Sequence, residues 1–493
     1  MDGVVATPIP SQIPNCINGE DRPSSTGEWF DKINPANGRK LCAVARSRAA
    51  DVDEATATAA AAQPAWADTT PVRRGEMIRD VANAMHERRE EIARLVALET
   101  GKSFRDALAE TGGAIALAHF FAGEGQRLYG RTTTSGMPHR QSMTVRQPVG
   151  VAGLIVAANT PIANVAWKLF PALICGNAAV LKAAEDTPAT AWLVHDIAKA
   201  AGLPPGLYNV IQGLGEEAGA ALVASGRVPV ISFTGSTAVG REIAAVAGRR
   251  LAKVSLELGG KNPLVVCDDA DLENAVKWVL LSAFSNAGQR CASGTRIIIF
   301  DAVYDAFRDM LVERTKTLRV GPGDDDDFGP VINGEQLDNM LRVLARAKEH
   351  GARILTGGQR LTDEDHRDGF YLAPTLVENA APRDDISTME LFGPVACLYR
   401  VNDFAEALAL ANDSAYGLTA CIHTRNVHRA LTFTRKVAAG VAVVNAGTFG
   451  SEPHMPFGGV KQSGNGSREP GTEALDIYSD LKDVYINFDP AGV

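Results

Sequence analysis

The stretch Val149-Gly150-Val151-Ala152-Gly153-Leu154-Ile155-Val156-Ala157-Ala158-Asn159 begins the part of the sequence that decides the fold. Its apolar run predicts a buried strand over residues 151–157, since strands covered on both faces lack an alternating pattern. A second strand is predicted over residues 178–182. A helix then starts at Thr187-Pro188 and ends at Gly202. Three further strands are predicted over residues 207–211, 230–233 and 253–258. Strands separated by helices predict a doubly wound α/β sheet.

The rest of the chain predicts a second α/β unit and a helical region before the first sheet. The strands of the second unit are predicted over residues 263–267, 296–300, 395–401, 419–423 and 441–445. Its helices are predicted over residues 271–286, 304–319, 404–412 and 426–438. The first forty residues indicate irregular structure with short strands. The capping-box spacing of Asp51 to Glu54 predicts a helix to Gln63, and a longer amphipathic helix over residues 72–98 has Gly101 as its C-cap.

Composition excludes several classes of protein. The chain has 493 residues and a formal net charge of −9, which argues against nucleic acid as the main partner. Its longest apolar stretch, residues 149–158, is too short to span a bilayer. Met1 to Pro14 lacks the features of a secretory signal, and the seven scattered cysteines suit a reducing compartment. We therefore expect a cytoplasmic protein with no membrane partner. We predict no metal site and interpret Asp324 to Asp327 as a solvated loop.

One cysteine and one glutamate have neighbours that suit acyl-thioester chemistry. Cys291 follows a predicted helix in Gly288-Gln289-Arg290-Cys291, and Glu257 precedes a glycine pair in Glu257-Leu258-Gly259-Gly260. A thiolate can attack a carbonyl, and a carboxylate can later activate water. Most cysteines are small buried hydrophobes. We expect Arg290 and the free amides of the turn to favour the thiolate of this one.

Three turns that follow predicted strands are candidates for a dinucleotide site. Gly213-Leu214-Gly215 is a partial fingerprint, and Phe233-Thr234-Gly235-Ser236-Thr237 offers hydroxyls and helix amides to a pyrophosphate. Lys182 ends the strand over residues 178–182, and Glu185 follows it at the sheet edge where ligands bind. The Glu185 carboxylate at this place can accept hydrogen bonds from ribose hydroxyls and would repel a 2′-phosphate. These residues favour NAD over NADP. The alternative for the Gly213 turn is an ordinary glycine turn that is present for steric reasons. For the Phe233 turn it is a plain N-cap, and for Lys182 and Glu185 it is a surface ion pair.

Asn159 lies just beyond the first strand of the sheet. Its amide can donate a hydrogen bond to an oxyanion. The alternative is a turn residue before Pro161.

Taken together, these motifs resemble the NAD(P)-dependent aldehyde dehydrogenase superfamily from about Ile17 to Tyr485. The order and spacing of the matching blocks make the resemblance specific. The blocks are Asn159-Thr160-Pro161, Gly176-Asn177, Leu181-Lys182, Phe233-Thr234-Gly235-Ser236, Glu257-Leu258-Gly259-Gly260-Lys261, Gly288-Gln289-Arg290-Cys291, Glu390-Leu391-Phe392-Gly393-Pro394 and Pro456-Phe457-Gly458-Gly459-Val460-Lys461-Gln462-Ser463-Gly464.

The resemblance implies a role for each matched residue. Cys291 is expected to be the nucleophile and Glu257 the base that activates the deacylating water. Asn159 and the Cys291 amide are expected to form the oxyanion hole, and Lys168 to belong to a proton relay behind Glu257. Lys182 and Glu185 are expected to bind the adenosine ribose, and Ser236 the pyrophosphate. Glu390 is expected to bind the nicotinamide ribose, and Phe392 to pack near the nicotinamide ring. The other expected cofactor contacts are Gly215, Phe233, Gly235, Leu258 and Gly259.

The resemblance also implies an architecture. We expect a cofactor domain over residues 1–128 and 149–258 and a catalytic domain over residues 259–468. Residues 129–148 and 469–493 are expected to form a bridging β-hairpin that assembles a homodimer or homotetramer. Within the last two ranges, residues 142–147 and 477–487 alternate apolar and polar side chains, so they are predicted to pair with each other or with another subunit.

The sequence departs from the usual family pattern Pro-Trp-Asn-Phe-Pro, which reads Ala157-Ala158-Asn159-Thr160-Pro161 here. Thr160 replaces a bulky aromatic residue and should widen and polarise the substrate tunnel. Arg290 stands where some relatives that act on anionic aldehydes also have a basic residue. We therefore expect an aldehyde that carries a carboxylate or another anion, such as a semialdehyde, with Trp167 and Phe449 as further tunnel residues. The alternative is that Arg290 only packs against its neighbours or lowers the thiol pKa.

Two other functions remain open at this stage. Relatives that transfer the acyl group to coenzyme A form the same thioester, but they generally lack the carboxylate found here at Glu257. A non-catalytic structural protein on the same fold is the second alternative, and the complete set of site residues argues against it.

Overall fold

The computed structural model of the protein describes residues 9–492. Residues 1–8 and 493 lie outside the described residues. Residues 1–8 belong to the Met1 to Pro14 segment and to the expected cofactor domain, and residue 493 belongs to the expected oligomerisation element. The strands are β1 Gln12–Ile13, β2 Asn15–Ile17, β3 Glu20–Arg22, β4 Trp29–Ile33, β5 Lys40–Ala45, β6 Thr132–Thr133, β7 Arg140–Pro148, β8 Val151–Ile155, β9 Ala178–Lys182, β10 Tyr208–Ile211, β11 Val230–Thr234, β12 Lys253–Glu257, β13 Asn262–Val266, β14 Gly294–Phe300, β15 Arg353–Thr356, β16 Thr375–Glu378, β17 Val395–Val401, β18 Tyr416–Gly417, β19 Thr419–His423, β20 Val441–Val444, β21 Val460–Lys461 and β22 Ser479–Asn487.

The helices cover both faces of the two large sheets. They are α1 Ala49–Asp68, α2 Pro71–Glu87, α3 Arg89–Thr100, α4 Phe104–Glu124, α5 Pro161–Ile174, α6 Pro188–Ala200, α7 Ala220–Ala224, α8 Thr237–Gly248, α9 Leu272–Phe284, α10 Asp301–Lys316, α11 Gly334–Glu349, α12 Asp385–Thr388, α13 Phe404–Asn412, α14 Val427–Lys436 and α15 Ala474–Tyr478. No helix of residues 9–492 combines the length and the apolar character that a membrane span requires.

The first large sheet has the strand order β12-β11-β8-β9-β10-β2-β3. Its first five strands run parallel, and β2 and β3 add an antiparallel edge. The parallel strands are mostly apolar and almost wholly buried, as expected for strands covered on both faces. Because their carboxyl ends meet at one edge, the turns after β8, β9, β11 and β12 lie together there.

The second large sheet has the order β15-β16-β17-β14-β13-β19-β20 and is parallel except for β15. Only four residues separate Glu257, at the end of β12, from Asn262, at the start of β13. Asn262 in turn pairs with Gly294 of β14, and Cys291 lies just before that strand. The short connection therefore brings the end of β12 next to the nucleophile loop.

A small third sheet has the order β22-β7-β6. β22 and β7 pair antiparallel along nine residues, from Ser479 opposite Pro148 to Asn487 opposite Arg140. This confirms that the two alternating stretches can pair with each other. The domain boundaries themselves stay a prediction.

Several predicted elements differ from the structure. The single helix over residues 72–98 is wrong: α2 and α3 are separate helices, and they meet at Arg88, whose φ and ψ of −101° and 19° leave the helical range. The Arg88 guanidinium bridges Glu91 and Asp196 there. α1 begins at Ala49, earlier than expected. Asp51 is its third residue, and the Asp51 side chain accepts a hydrogen bond from the backbone amide of Arg48.

α4, α11, β15 and β16 were not predicted. The Gly112-Gly113 pair and many alanines weaken the apolar periodicity of α4.

Candidate active site

The turn before Cys291 has an unusual backbone. Residues 286–288 all adopt left-handed conformations, with φ of 54°, 54° and 66°. Two consecutive non-glycine residues in this region cost free energy, so contacts outside the turn must hold it. The Ser293 hydroxyl donates to the Gly288 carbonyl over 2.9 Å, and the Asn262 side chain donates to the Cys291 carbonyl over 2.7 Å. These bonds fix the backbone of the predicted nucleophile.

The Cys291 thiol is protonated at neutral pH in this structure. Burial, together with the carboxylates of Glu390 and Glu257, raises the pKa of the thiol to about 12, while the backbone amides of Cys291 and Ala292 oppose the shift. The Arg290 charge attracts the thiolate and the backbone amides lower the thiol pKa, as expected. Burial and the two carboxylates outweigh these effects, so the net shift of the thiol pKa is upward.

The Asn159 amide lies beside the nucleophile loop. Its Nδ2 donates to the Gln289 carbonyl over 3.0 Å, and its Oδ1 accepts from the Asn164 amide over 3.5 Å. The weak bond from Asn164 orients the amide so that its nitrogen faces the loop. An amide nitrogen carries two hydrogens, so one remains for an oxyanion on the carbon that Cys291 attacks.

Glu257 is buried at the end of β12, and neither carboxylate oxygen has a hydrogen-bond partner among residues 9–492. Burial and the nearby charge of Glu469 raise its pKa well above the usual range, while Lys168 and Arg468 oppose the shift. A carboxylate with both oxygens available and a raised pKa is suited to accept a proton from water.

Lys168 is fully buried, and its charge is balanced by Glu469 rather than by Glu257. Its Nζ donates to Glu469 over 2.8 Å and to the Ser232 hydroxyl over 2.6 Å. The Tyr478 hydroxyl donates to the same glutamate over 2.9 Å. Lys168 thus acts on the Glu257 pKa through space, and no direct hydrogen bond joins the two.

Two cavities meet at Cys291. The smaller one, of about 70 Å³, is lined by both Cys291 and Glu257 and by turns after β11 and β12. The larger one, of about 450 Å³, lies between α4, α5 and the loop that contains Phe449. The residues common to both cavities are Asn159, Thr160, Trp167, Cys291 and Phe457. A reacting carbon at Cys291 can therefore be approached from two sides.

Three of the predicted cofactor residues form one hydrogen-bonded group at the carboxyl edge of the first sheet. Glu185 Oε1 accepts from Lys182 Nζ over 2.7 Å and from the Gly215 amide over 2.6 Å. Lys182 is buried, and Glu185 is half-buried. The second carboxylate oxygen of Glu185 makes no bond to residues 9–492, so it can accept from a ligand.

The turn after β11 brings together three other predicted residues. Gly235 lies against the buried ring of Phe233, which would be 2.4 Å from a Cβ on this glycine. Ser236 is exposed at the N-cap of α8 and accepts from the Val239 amide over 3.3 Å. The first amides of a helix offer donors and a positive potential to an anion.

The turn after β12 approaches a half-buried carboxylate. Glu390 Oε1 accepts from the Gly260 amide over 2.9 Å, and a Cβ on Gly259 would come within 2.0 Å of Oε2. Only glycine allows this approach. Burial raises the pKa of Glu390 to about 7. Leu258 and Phe392 line the small cavity beside this turn.

The predicted substrate residues surround the larger cavity. Trp167 packs edge-to-face on Phe457 at 5.3 Å between ring centroids. The Thr160 hydroxyl accepts from Asn164 over 3.2 Å. Arg290 stacks on Phe449, with 4.6 Å from Cζ to the ring centroid. All four predicted tunnel residues therefore lie in one place.

The sequence analysis missed three charged residues of this cavity, Lys102, Asp106 and Glu110. They belong to α4 and the turn before it, an element that was itself not predicted. The Ser103 hydroxyl accepts from the Asp106 amide at the helix N-cap. The Ser-x-x-Asp spacing was the available signal for this helix start.

A third cavity, of about 720 Å³, lies away from Cys291, between α10, β17 and α13. It shares no residue with either cavity at Cys291. The charges of its two arginines, Arg308 and Arg400, are paired with aspartates. Size alone therefore does not identify the site here.

Comparison with known proteins agrees with this geometry. The family model described as "Aldehyde dehydrogenase family" matches residues 22–484. The alpha-ketoglutaric semialdehyde dehydrogenase of Bacillus subtilis (strain 168) is 38% identical over 475 residues, which cover 96% of this chain and 97% of that protein. The alpha-ketoglutarate semialdehyde dehydrogenase of Haloferax volcanii is 38% identical over 482 residues, covering 96% and 99%.

Solved structures show the same fold. The crystal structure of betaine aldehyde dehydrogenase from Staphylococcus aureus in complex with NAD+ superposes with a TM-score of 0.95 at 34% sequence identity. The match covers 97% of this chain and 95% of that one. A family match over nearly the whole chain and relatives above 30% identity lead to one conclusion: the chain belongs to the aldehyde dehydrogenase family.

Proposed function

We propose that this enzyme oxidises an aldehyde to the carboxylic acid with NAD, through a thioester on Cys291 that is hydrolysed. One observation carries the proposal: the Cys291 thiol and the unbonded Glu257 carboxylate line the same small cavity. That cavity is also lined by the turns expected to hold the cofactor. Oxidation followed by hydrolysis requires a nucleophile, a base and a cofactor-binding site that meet at one place.

The residues present fit a dinucleotide. The Thr234 hydroxyl is buried in the small cavity without a partner among residues 9–492, and the Gly259 turn leaves no room for a side chain. Glu390 and Glu185 would accept from the two riboses, and Ser236 with the α8 amides would hold the pyrophosphate. The Glu185 charge would repel a 2′-phosphate, which favours NAD over NADP. The NAD+ complex of the Staphylococcus aureus relative supports this assignment.

The chemistry begins at Cys291. Its thiol first releases a proton to solvent, and the thiolate then forms a bond to the aldehyde carbon as the carbonyl π electrons move to the oxygen. The Asn159 amide and the backbone amide of Cys291 stabilise that oxyanion. When bound, NAD supplies the acceptor for the hydride of the same carbon. As the oxyanion reforms a carbonyl, the product on Cys291 is a thioester.

Hydrolysis completes the cycle. Glu257 takes a proton from a water molecule, whose oxygen attacks the thioester carbon. The bond from carbon to sulfur breaks, so the acid leaves and the Cys291 thiolate is regenerated. Glu257 then releases its proton to solvent. Lys168 and Glu469, behind the base, adjust its pKa through their charges.

A product assay tests this outcome against the two alternatives. We expect aldehyde-dependent NADH formation with free acid as the product, whether or not coenzyme A is present. A thioester of coenzyme A as the main product would show the acyl-transfer function instead. No NADH from a panel of charged and uncharged aldehydes would indicate a non-catalytic protein.

For the substrate, we propose an aldehyde with a carboxylate at its far end, bound through Arg290. The half-buried Arg290 guanidinium lines the larger cavity and has no hydrogen bond or salt bridge with any residue of 9–492. It stacks on the Phe449 ring, and the carboxylates of Asp106 and Glu110 act on its charge without bonding to it. A lysine in the same cavity, Lys102, is already paired with Glu110 at 2.6 Å. Arg290 is therefore the cation left to bind an anion, and a planar guanidinium suits a carboxylate.

The relatives support a semialdehyde. Two proteins 38% identical to this one are named for alpha-ketoglutaric or alpha-ketoglutarate semialdehyde. That compound has an aldehyde at one end and a carboxylate at the other. The cavity volume of about 450 Å³ is ample for such a chain.

Arg290→Met tests the substrate class. We expect kcat/KM to fall about 10- to 100-fold for alpha-ketoglutaric semialdehyde, because a hydrogen bond to a charged group is worth about 1.5–3 kcal/mol. An uncharged aldehyde of the same length should change less than about threefold. Arg94→Met is the matched control, since Arg94 stacks on Phe104 at 4.8 Å outside the cavity. Equal losses for both aldehydes would remove this proposal and leave the reaction class untouched.

We also propose that the β22-β7-β6 sheet assembles a homodimer or homotetramer in the cytoplasm. Its exposed apolar side chains, among them Leu481, Tyr485 and Ile486, support this role. All seven cysteines lie within the described residues and are unpaired, which agrees with a reducing compartment. Sedimentation of Leu481→Asp should show smaller particles than the parent enzyme. An unchanged sedimentation coefficient would argue against this interface.

A further inference from the structure

Two buried charges lie beneath the turn that contains Asn159. Lys102, just before α4, and Glu110, inside α4, form a salt bridge of 2.6 Å between Nζ and Oε2. Their side chains are only 4% and 8% exposed. Taking two charges out of water costs several kcal/mol per ion, so further bonds must satisfy the remaining donors and acceptors. Those further bonds lead to the active site.

The free oxygen of Glu110 binds the start of α5. Oε1 accepts from the amides of Ile162 and Ala163 over 3.1 and 3.3 Å. These amides have no partner within the helix, and Thr160 at the N-cap provides no side-chain cap. A carboxylate at this position also suits the helix dipole. Glu110 therefore caps α5 from a neighbouring helix.

Lys102 binds the other side of the same turn. Its Nζ donates to the backbone carbonyl of Asn159 over 2.8 Å. The Asn286 side chain, from the nucleophile loop, donates to that carbonyl as well, over 3.2 Å. The backbone of Asn159 is thus held from α4 and from the loop before Cys291.

We propose that Lys102 and Glu110 are positioning residues that hold the Asn159 amide at the oxyanion site. The pair fixes the carbonyl of Asn159 and the amides that follow Thr160, so the turn between β8 and α5 has little freedom to move. A displacement of about 1 Å in a catalytic group can cost about 10²-fold in rate. This inference rests on the proposed oxyanion role of Asn159.

A direct contact of Lys102 with substrate is the competing explanation, because Lys102 also lines the larger cavity. Two of its three N–H groups are used by Glu110 and Asn159, and the carboxylate compensates its charge. Arg290 has no bonded carboxylate, although Asp106 and Glu110 act on its charge from a distance. Lys102 therefore acts through Asn159, and Arg290 acts on the substrate anion.

A double-mutant cycle separates these roles. In the full enzyme, Lys102→Met should lower kcat/KM about 10- to 100-fold for charged and uncharged aldehydes alike. In an Asn159→Ala background the same substitution should change kcat/KM less than about twofold, because its effect passes through the missing amide. The affinity for NAD, measured by calorimetry, should stay within about twofold. Arg105→Met is the control, since Arg105 is an exposed neighbour outside the pair.

Glu110→Gln, which keeps an acceptor for the α5 amides, provides a second arm if Lys102→Met does not fold. The same coupling to Asn159 is expected, with a smaller loss. Equal losses from Lys102→Met or Glu110→Gln in both backgrounds would overturn the inference, as would full activity in either single variant. If Asn159→Ala itself were fully active, the oxyanion role would fail as well, so the two failures are distinguishable.

Discussion

The side-chain nitrogen of Asn159 lies 3.0 Å from the carbonyl oxygen of Gln289, two residues before Cys291. This bond joins the end of β8 in the first sheet to the loop that contains the thiol. The bond therefore holds the side chain of the oxyanion donor, Asn159, against the backbone of the loop that positions the nucleophile.

Asn159→Ala should lower kcat/KM about 10²- to 10³-fold, the usual cost of losing one oxyanion donor. Residual activity is expected, because the Cys291 backbone amide remains. Aldehyde-dependent NADH formation provides the measurement. A loss of less than about fivefold would mean that the amide does not stabilise the oxyanion.

The reactivity of Cys291 should depend steeply on pH in the enzyme without cofactor. Its pKa is raised to about 12, so between pH 7 and 9 the thiolate fraction, and with it alkylation by iodoacetamide, should rise about tenfold per pH unit. Glu390→Gln should accelerate alkylation at pH 8, because the pKa of Glu390 is about 7 and its charge disfavours the thiolate. A plateau in alkylation below pH 8 would contradict the raised pKa.

Glu257 should impose a second pH dependence, on hydrolysis of the thioester. Its pKa is raised above the usual range, and only the ionised form can accept a proton. Where hydrolysis limits turnover, kcat should therefore increase with pH until Glu257 is ionised. Glu257→Gln should abolish this increase and leave one rapid turnover of NADH followed by a slow phase. Steady turnover at the parental rate would show that another base acts.

Cofactor preference should follow the charge of Glu185. Its carboxylate is held by Lys182 and the Gly215 amide at the expected adenosine ribose site. Glu185→Gln removes the charge that repels a 2′-phosphate, so the ratio of kcat/KM for NADP to that for NAD should rise about tenfold or more. Glu216→Gln is the control, since Glu216 is an exposed acid next to Gly215. Equal ratios in the two variants would argue against the role of Glu185.

The sequence was most informative where local patterns and tertiary structure agree. The buried strands β9, β17 and β19 coincide with their predicted ranges, because continuous apolar runs between turn residues leave few alternatives. Five of the predicted cofactor residues, Glu185, Gly235, Ser236, Leu258 and Gly259, lie in the turns after β9, β11 and β12. Cys291, Glu257 and Asn159 lie around one cavity as expected.

What the sequence could not provide depends on contacts between distant segments. Glu110 belongs to α4, whose alanines and glycines obscure its periodicity, and Lys102 lies just before that helix. Their partners lie some fifty residues later, in α5 and in the turn before it. The net direction of the thiol pKa shift could not be predicted, because Arg290 and the turn amides are adjacent in sequence, whereas burial and two distant carboxylates raise the pKa in space. The stacking of Arg290 on Phe449 likewise joins loops far apart in the chain.

The central claim is that Cys291 carries the acyl group, and mass spectrometry of the digested enzyme tests it most directly. Glu257→Gln enzyme would be mixed with NAD and alpha-ketoglutaric semialdehyde, quenched in acid after one turnover and digested. The account predicts a mass increase equal to the acyl group on the peptide that contains Cys291, and none in a Cys291→Ala, Glu257→Gln double variant. NADH formation with no adduct on that peptide, or an adduct on another residue, would contradict it.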